Sequence, residues 1–140
     1  MSEKCEDRID AELRREIENL EKLLKLAYRN PEAYDDNLGN LNEYGLDFSY
    51  IPPNTWEEQK EGYFRYQLSW GGPSDEFRFY VNPDFSVYRI EYVFLDWYDG
   101  AKRELHGDDH DLLEEIYNYM WNETGLTKIL FEEATGVKYA

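Results

Sequence analysis

The residue types best suited to chemistry gather in one short run, His106-Gly107-Asp108-Asp109-His110. Two histidines four apart can share the face of a helix and offer two imidazoles to one metal ion. Gly107 and the capping character of Asp108 and Asp109 instead place His106 ahead of the helix, and no third ligand stands at a known spacing. The 31 Asp and Glu residues offer too many carboxylates for one acid–base pair to be singled out, and no nucleophile has a recognisable base or elbow motif around it. Cys5, the only cysteine, has no activating base beside it and reads as an inert thiol in a frayed terminus. Gly71-Gly72 has neither the spacing of a phosphate loop nor a helix after it, and reads as a hairpin turn. These residues predict a binding protein rather than an enzyme, with no cofactor and no metal.

The remaining chemistry is charge. Fifteen basic residues against 31 acidic ones give a net charge of −16. Self-repulsion of that size costs stability, so the charge is either tolerated for solubility or retained for a use. Nucleic acid and anionic membrane surfaces are excluded as direct partners, because both would be repelled. The excess is uneven. The seven bases of residues 1–29 nearly balance their acids, and residues 62–106 are likewise close to neutral. Residues 30–61 set eight acids against Lys60 alone, and residues 107–140 set eight acids against Lys128 and Lys138. Should those two stretches adjoin in space, they form one negative face able to steer and hold a basic groove. Duplex DNA carries one charge per ~1.7 Å, so the surplus matches roughly 27 Å of duplex, and carboxylates could stand where a partner expects phosphates. The residues assigned to such a face are Asp35, Asp36, Glu57, Glu58, Glu61, Asp111, Glu114 and Glu115. The plainer reading is a solvated surface, with Asp108 and Asp109 capping a helix.

A scaffold for that face follows from periodicity. From about Asp7 to Tyr28, Ile9, Leu13, Ile17, Leu20, Leu24 and Ala27 recur in steps of three and four, which is a helical stripe ended by Asn30-Pro31. Glu18 with Lys22 and Glu21 with Lys25 stand at the spacing of helical ion pairs. Leu23 and Leu26 widen the stripe beyond a coiled-coil seam, so the helix is expected to dock on a sheet, with a homodimer as the alternative. Residues 30–61 read as an irregular acidic segment holding a short strand over Asp47 to Ile51.

The period then becomes two. Phe64, Tyr66, Leu68 and Trp70 mark one strand, Phe77, Phe79 and Val81 a second, and Tyr88, Ile90, Tyr92 and Phe94 a third. Turns are expected at residues 71–75, at Asn82-Pro83-Asp84 and at Asp99-Gly100, the last before a short strand near Lys102 to Leu105. Arg65, Arg78 and Arg89 fall on the polar side of these strands, where Glu76 and Glu91 are natural partners. Leu112, Leu113, Ile116, Tyr117 and Met120 then face inward from a helix beginning near Asp109 and ending at Gly125, and Leu126 to Ala134 forms a last helix closing at Gly136. Rings such as Trp56, Trp97 and Trp121 are left for an interface.

These readings give a single α+β domain over residues 1–140. A helix (1–29), an acidic irregular segment (30–61), a four- to five-stranded antiparallel meander (62–106, with the short strand before it) and C-terminal helices (107–140) follow one another. The aromatic content of 17% sets the chain apart from disordered acidic sequences. A lone cysteine suits a reducing compartment, and the charged residues from Glu3 to Asp10 cannot form a signal peptide, so a cytoplasmic protein is expected.

The wording of Tyr44-Gly45-Leu46-Asp47-Phe48-Ser49-Tyr50, of residues 62–79 with Trp70-Gly71-Gly72-Pro73-Ser74-Asp75-Glu76-Phe77 at their centre, and of Tyr88 to Tyr92 and Leu95 to Gly100 resembles a group of small acidic proteins encoded by phages and other mobile elements. The resemblance carries no functional residues across. It implies a setting in which inhibitors of host defence, anti-CRISPR and anti-restriction proteins among them, are common. The expectation is therefore an anti-CRISPR protein of DNA-mimic type, whose partner is the basic nucleic-acid-binding surface of a Cas effector or other nuclease. The alternatives are an immunity protein or antitoxin that neutralises a nuclease, and a homo-oligomeric accessory protein of a mobile element.

Overall fold

The apolar stripe at the start of the chain becomes helix α1, Cys5–Arg29, in the computed structural model, which describes residues 4–138. Ile9, Leu13, Ile17, Leu20, Leu23 and Leu24 are all buried, and Ala27 packs at the edge of the core. Each such side chain contributes about 1.5–3 kcal/mol by leaving water, so truncating Leu20 to Ala would cost roughly 2–5 kcal/mol. Asn30 turns extended at φ −158° ahead of Pro31, its N–H still donating to the Leu26 carbonyl at 3.0 Å.

The helix begins earlier than the stripe does. Cys5 is 1% exposed, and its backbone N–H donates to Asp99 Oδ2 at 2.7 Å. The frayed terminus expected there is corrected: Lys4 is the N-cap residue, a carboxylate borrowed from the sheet accepts from the first helical N–H in place of a capping side chain, and the small apolar thiol is packed as core. Burial, and then Asp99, push that thiol above its ordinary range.

Five antiparallel strands follow as an unbroken meander. They are β1 (Asp47–Ile51), β2 (Tyr63–Ser69), β3 (Pro73–Val81), β4 (Val87–Asp96) and β5 (Asp99–Glu104), paired in chain order. Alternation puts Phe64, Tyr66, Leu68, Phe77, Phe79, Ile90, Tyr92 and Phe94 on one face, all buried. That face is covered by α1 lying on β4 and β5, by α3 (Gly107–Tyr117) against α1 and β4, and by α4 (Leu126–Thr135) on β1. A short helix α2 (Leu41–Tyr44), capped by Asn40 Oδ1 accepting from the Glu43 N–H at 3.0 Å, precedes β1 and had no periodic signal. Among the described residues no helix is long and apolar enough to cross a membrane.

Four local expectations are corrected. Trp70 lies past the end of β2 and is 78% exposed instead of facing the core. Tyr88 turns outward because the β3–β4 register shifts there, Tyr80 pairing with Arg89 and Val81 with Val87. The β4–β5 turn falls on Trp97-Tyr98, and Asp99-Gly100 opens β5. Gly100 lies opposite Leu95, whose Cδ2 would be 2.7 Å from any Cβ at that position. Trp121 is buried and stacks on Phe48 with centroids 3.8 Å apart, because residues Asn118–Asn122 wind as a π-helix that swings it inward.

Candidate functional site

Helix α3 buries Leu113, Ile116 and Tyr117 and leaves its acids on the other side. Asp108 and Asp109 occupy its first turn, where carboxylates complement the helix dipole, and His106 is the N-cap at φ −137°. The two histidines therefore do not share a helical face; His106 Nε2 lies 3.5 Å from Glu104 instead. Among the described residues no group of three or more His, Cys, Asp or Glu could hold a metal ion.

Arg14 clasps Asp109 at 2.8 Å and fixes α3 beside α1. Between the two helices runs a cleft of about 810 Å³, walled by Glu21, Asp108, Asp111, Glu114, Glu115 and Glu123. Lys25 is the one cation among its described lining residues, and it is bonded to Glu21 at 2.9 Å. Tyr28 and Tyr119, in edge-to-face contact at 5.3 Å, supply an aromatic wall. The Tyr28 hydroxyl is pushed up by burial first, then by the charge of Glu115 and its hydrogen bond, with Glu123 adding to the effect. Asp111, Glu114 and Glu115 are thus brought together, joined by Glu21, Asp108 and Glu123.

The other acids assigned to this face go elsewhere. Asp35 binds Lys22 at 2.6 Å and accepts from the N–H groups of Asn37 and Leu38; the Lys22 bond first, and then the two N–H groups, hold its carboxyl below the usual range. Lys22 was read as the partner of Glu18; the bond to Asp35 replaces that pairing. Asp36 is exposed beside it. Glu57, Glu58 and Glu61 lie on a loop over the opposite face of the sheet, in a second cleft with Arg78, Arg89 and Lys102. Glu61 accepts from Tyr88 and from Arg89, both at 2.6 Å, and these bonds keep its carboxyl below its ordinary value. The single face expected from residues 30–61 and 107–140 is accordingly corrected: Glu57, Glu58 and Glu61 lie across the sheet from α3, Asp35 is held against α1 by Lys22, and Asp35 and Glu61 are spent on internal cations.

The three strand arginines do share that outer face. Arg78 bonds Glu76 at 2.7 Å, as its position implied, whereas Arg89 takes Glu61 and Arg65 approaches Asp47 at 4.0 Å. Arg89 also lies 3.9 Å over the Tyr80 ring.

One constellation escaped the sequence reading. Glu16, 3% exposed on α1, accepts from the Tyr44 hydroxyl and shares a hydrogen bond with Asp75, also 3% exposed. Asp75 in turn accepts from Ser69 and from Tyr92 at 2.6 Å. Burial, followed by the bond to Asp75 and its charge, raises the Glu16 carboxyl to about 8, so at neutral pH it carries a proton to donate. The signals were present: position 16 follows Leu13 by three on the buried flank, and position 75 continues the inward alternation of Phe77 and Phe79.

Comparison with protein-family models, with curated proteins and with solved structures returns no match.

Proposed function

We propose that this chain is an acidic inhibitor that binds the basic nucleic-acid-binding surface of a nucleic-acid-targeting defence complex in the host cytoplasm, with a Cas effector the leading target. The observation that carries this reading is the α1–α3 groove. Asp108, Asp111, Glu114 and Glu115 fall within eight helical residues, seven steps of ~1.5 Å or about 10.5 Å of axis. Three intervals over that length average ~3.5 Å, close to the ~3.4 Å interval along a single strand of duplex DNA. A rigid helix, pinned to α1 by Arg14 and Asp109, holds the row in place, and Lys25, the cation among the cleft's described lining residues, is bonded to Glu21 on its own helix. The binding residues are then Asp111, Glu114 and Glu115, with Glu57 and Glu58 as a separate patch, while Asp35 and Glu61 serve the fold.

The test is inhibition of nucleic-acid cleavage by purified Cas effectors and restriction nucleases. Reversing Asp111, Glu114 and Glu115 to Lys should weaken inhibition by at least about 100-fold, since close interfacial charge pairs couple by ~1.5 kcal/mol or more each. Reversing Glu57 and Glu58 should change it far less. A folded triple variant that inhibits as well as the parent would reject the groove, and capture of a toxin nuclease alone would favour the immunity-protein reading.

A further inference from the structure

We propose that the cleft between Trp70 and Trp97 is a docking site for an arginine side chain on a basic partner protein. The inference stands on this cleft and not on the α1–α3 groove. The β2–β3 and β4–β5 turns lie at the same end of the sheet, because Pro73 pairs with Asp96 and Ser74 with Leu95. Trp70, Trp97 and Tyr98 are 78%, 85% and 105% exposed, and Trp70, Trp97 and Leu95 wall a cleft of about 520 Å³ with Gly71, Gly72 and Ser74. A Cβ at Gly71 or Gly72 would meet nothing within 4 Å, so the cleft is open on that side.

Three features turn an exposed aromatic patch into a site with a defined occupant. Trp97 is held at φ +57°, in the left-handed region that suits Asn or Gly, so an indole is displayed where a cheaper turn residue would serve. Elsewhere the chain covers its rings with its own guanidinium groups: Arg89 lies 3.9 Å over Tyr80, Arg78 lies 4.7 Å over Tyr63 and Arg8 lies 4.9 Å over Phe94. Trp70 and Trp97 take part in none of these contacts, and tryptophan is the best of the rings at holding a cation. The charge around the cleft selects for a cation as well. Asp99 stands next to the turn with its carboxyl held below its usual range first by the Cys5 N–H, Asp96 on the other side is paired with Arg8 at 2.7 Å, and the whole chain carries −16. A second copy would bring like charges together, and a stacked nucleobase would bring its phosphates. A planar guanidinium gains from both rings and from the field.

The experiment is a titration of the ¹⁵N-labelled full chain, read at the tryptophan indole N–H resonances. The probes are acetyl-Gly-Arg-Gly-amide and its neutral citrulline analogue. Trp70 and Trp97 should shift saturably, with the arginine peptide at least about threefold tighter than citrulline. Trp121, which is buried, and Trp56, which is half exposed but whose Nε1 already donates to Tyr63 at 3.1 Å, should stay in place. Trp97→Asn, which keeps a turn-compatible residue, should abolish the Trp70 response, and the Asp111, Glu114 and Glu115 reversals should leave it intact. Silent indoles, equal response to citrulline, or shifts that follow protein concentration without peptide would each overturn the proposal. Loss of the response in the groove variant would assign the peptide to the groove and overturn it too.

Discussion

Glu16 joins three elements through one carboxyl, taking a hydrogen bond from Tyr44 after α2 has turned the chain and sharing another with Asp75 of β3. Asn19 holds the same Tyr44 hydroxyl from below at 2.9 Å, and burial, then the bond to Glu16, push that phenol up. The folded chain binds the Glu16 proton more tightly than the unfolded chain, with a value of about 8 against 4.5. Its stabilising contribution is therefore fully present below the unfolded value and is lost as pH rises through about 8. The slope cannot exceed roughly 1.4 kcal/mol per pH unit for one group. Asp35, Glu61, Asp84 and Asp99 are lowered instead, so their contributions fade only toward acid and leave the interval from about pH 5.5 to 8.5 to Glu16. Urea unfolding across that interval should show the parent losing stability with rising pH. Glu16→Gln, which keeps a hydrogen-bonding side chain but cannot ionise, should be flatter, and identical slopes would remove Glu16 from the account.

At the scale of elements, the β4–β5 turn carries one of the non-glycine residues held at positive φ, with Asn54, Glu58 and Phe85 the others among the described residues. Trp97→Asn relieves a left-handed backbone at an 85% exposed side chain, so little buried contact is lost. A gain of about 0.5–1 kcal/mol, or a few degrees in Tm, is expected by calorimetry; a lower Tm would mean that the indole contributes to the hairpin after all. This turn also shows what periodicity could and could not reach. The stripe of α1, the limits of β1, the inward residues of β2 to β4 and the glycine that closes α4 were all legible, because burial repeats at 3.6 or 2 leave a pattern in sequence. Trp70, Tyr88 and the place of the β4–β5 turn were not, since each depends on where a strand stops or a bulge falls, and a shift of one residue reverses the face. The site divided in the same way. Asp111, Glu114 and Glu115 share a helix and stay together for that local reason. Joining them to Glu57 and Glu58 required knowing on which side of the sheet the connecting loop runs, and no local pattern encodes that.

Taken as a whole molecule, the chain holds 31 acids against 15 bases, and ties such as Arg8–Asp96 at 2.7 Å and Arg103–Asp10 at 3.0 Å neutralise only part of the surface. Repulsion among the remainder opposes compaction, and salt screens it over about 10 Å at 0.1 M. Raising sodium chloride from about 0.02 to about 0.5 M should increase Tm by several degrees. A decrease would show that the ion pairs outweigh the repulsion.

The docking of α1 has a temporal side. Cys5 is tied to Asp99 across 94 positions and Arg8 to Asp96 across 88, so α1 finds its seat only when β4 and β5 have been made. At translation rates of about 5–20 residues per second that interval lasts roughly 5–20 s. The meander can begin to pair strand by strand as it emerges, because every strand neighbours the one before it. Throughout that time Ile9, Leu13, Ile17 and Leu20 have no sheet to cover them, which makes α1 of the nascent chain an apolar segment open to chaperones.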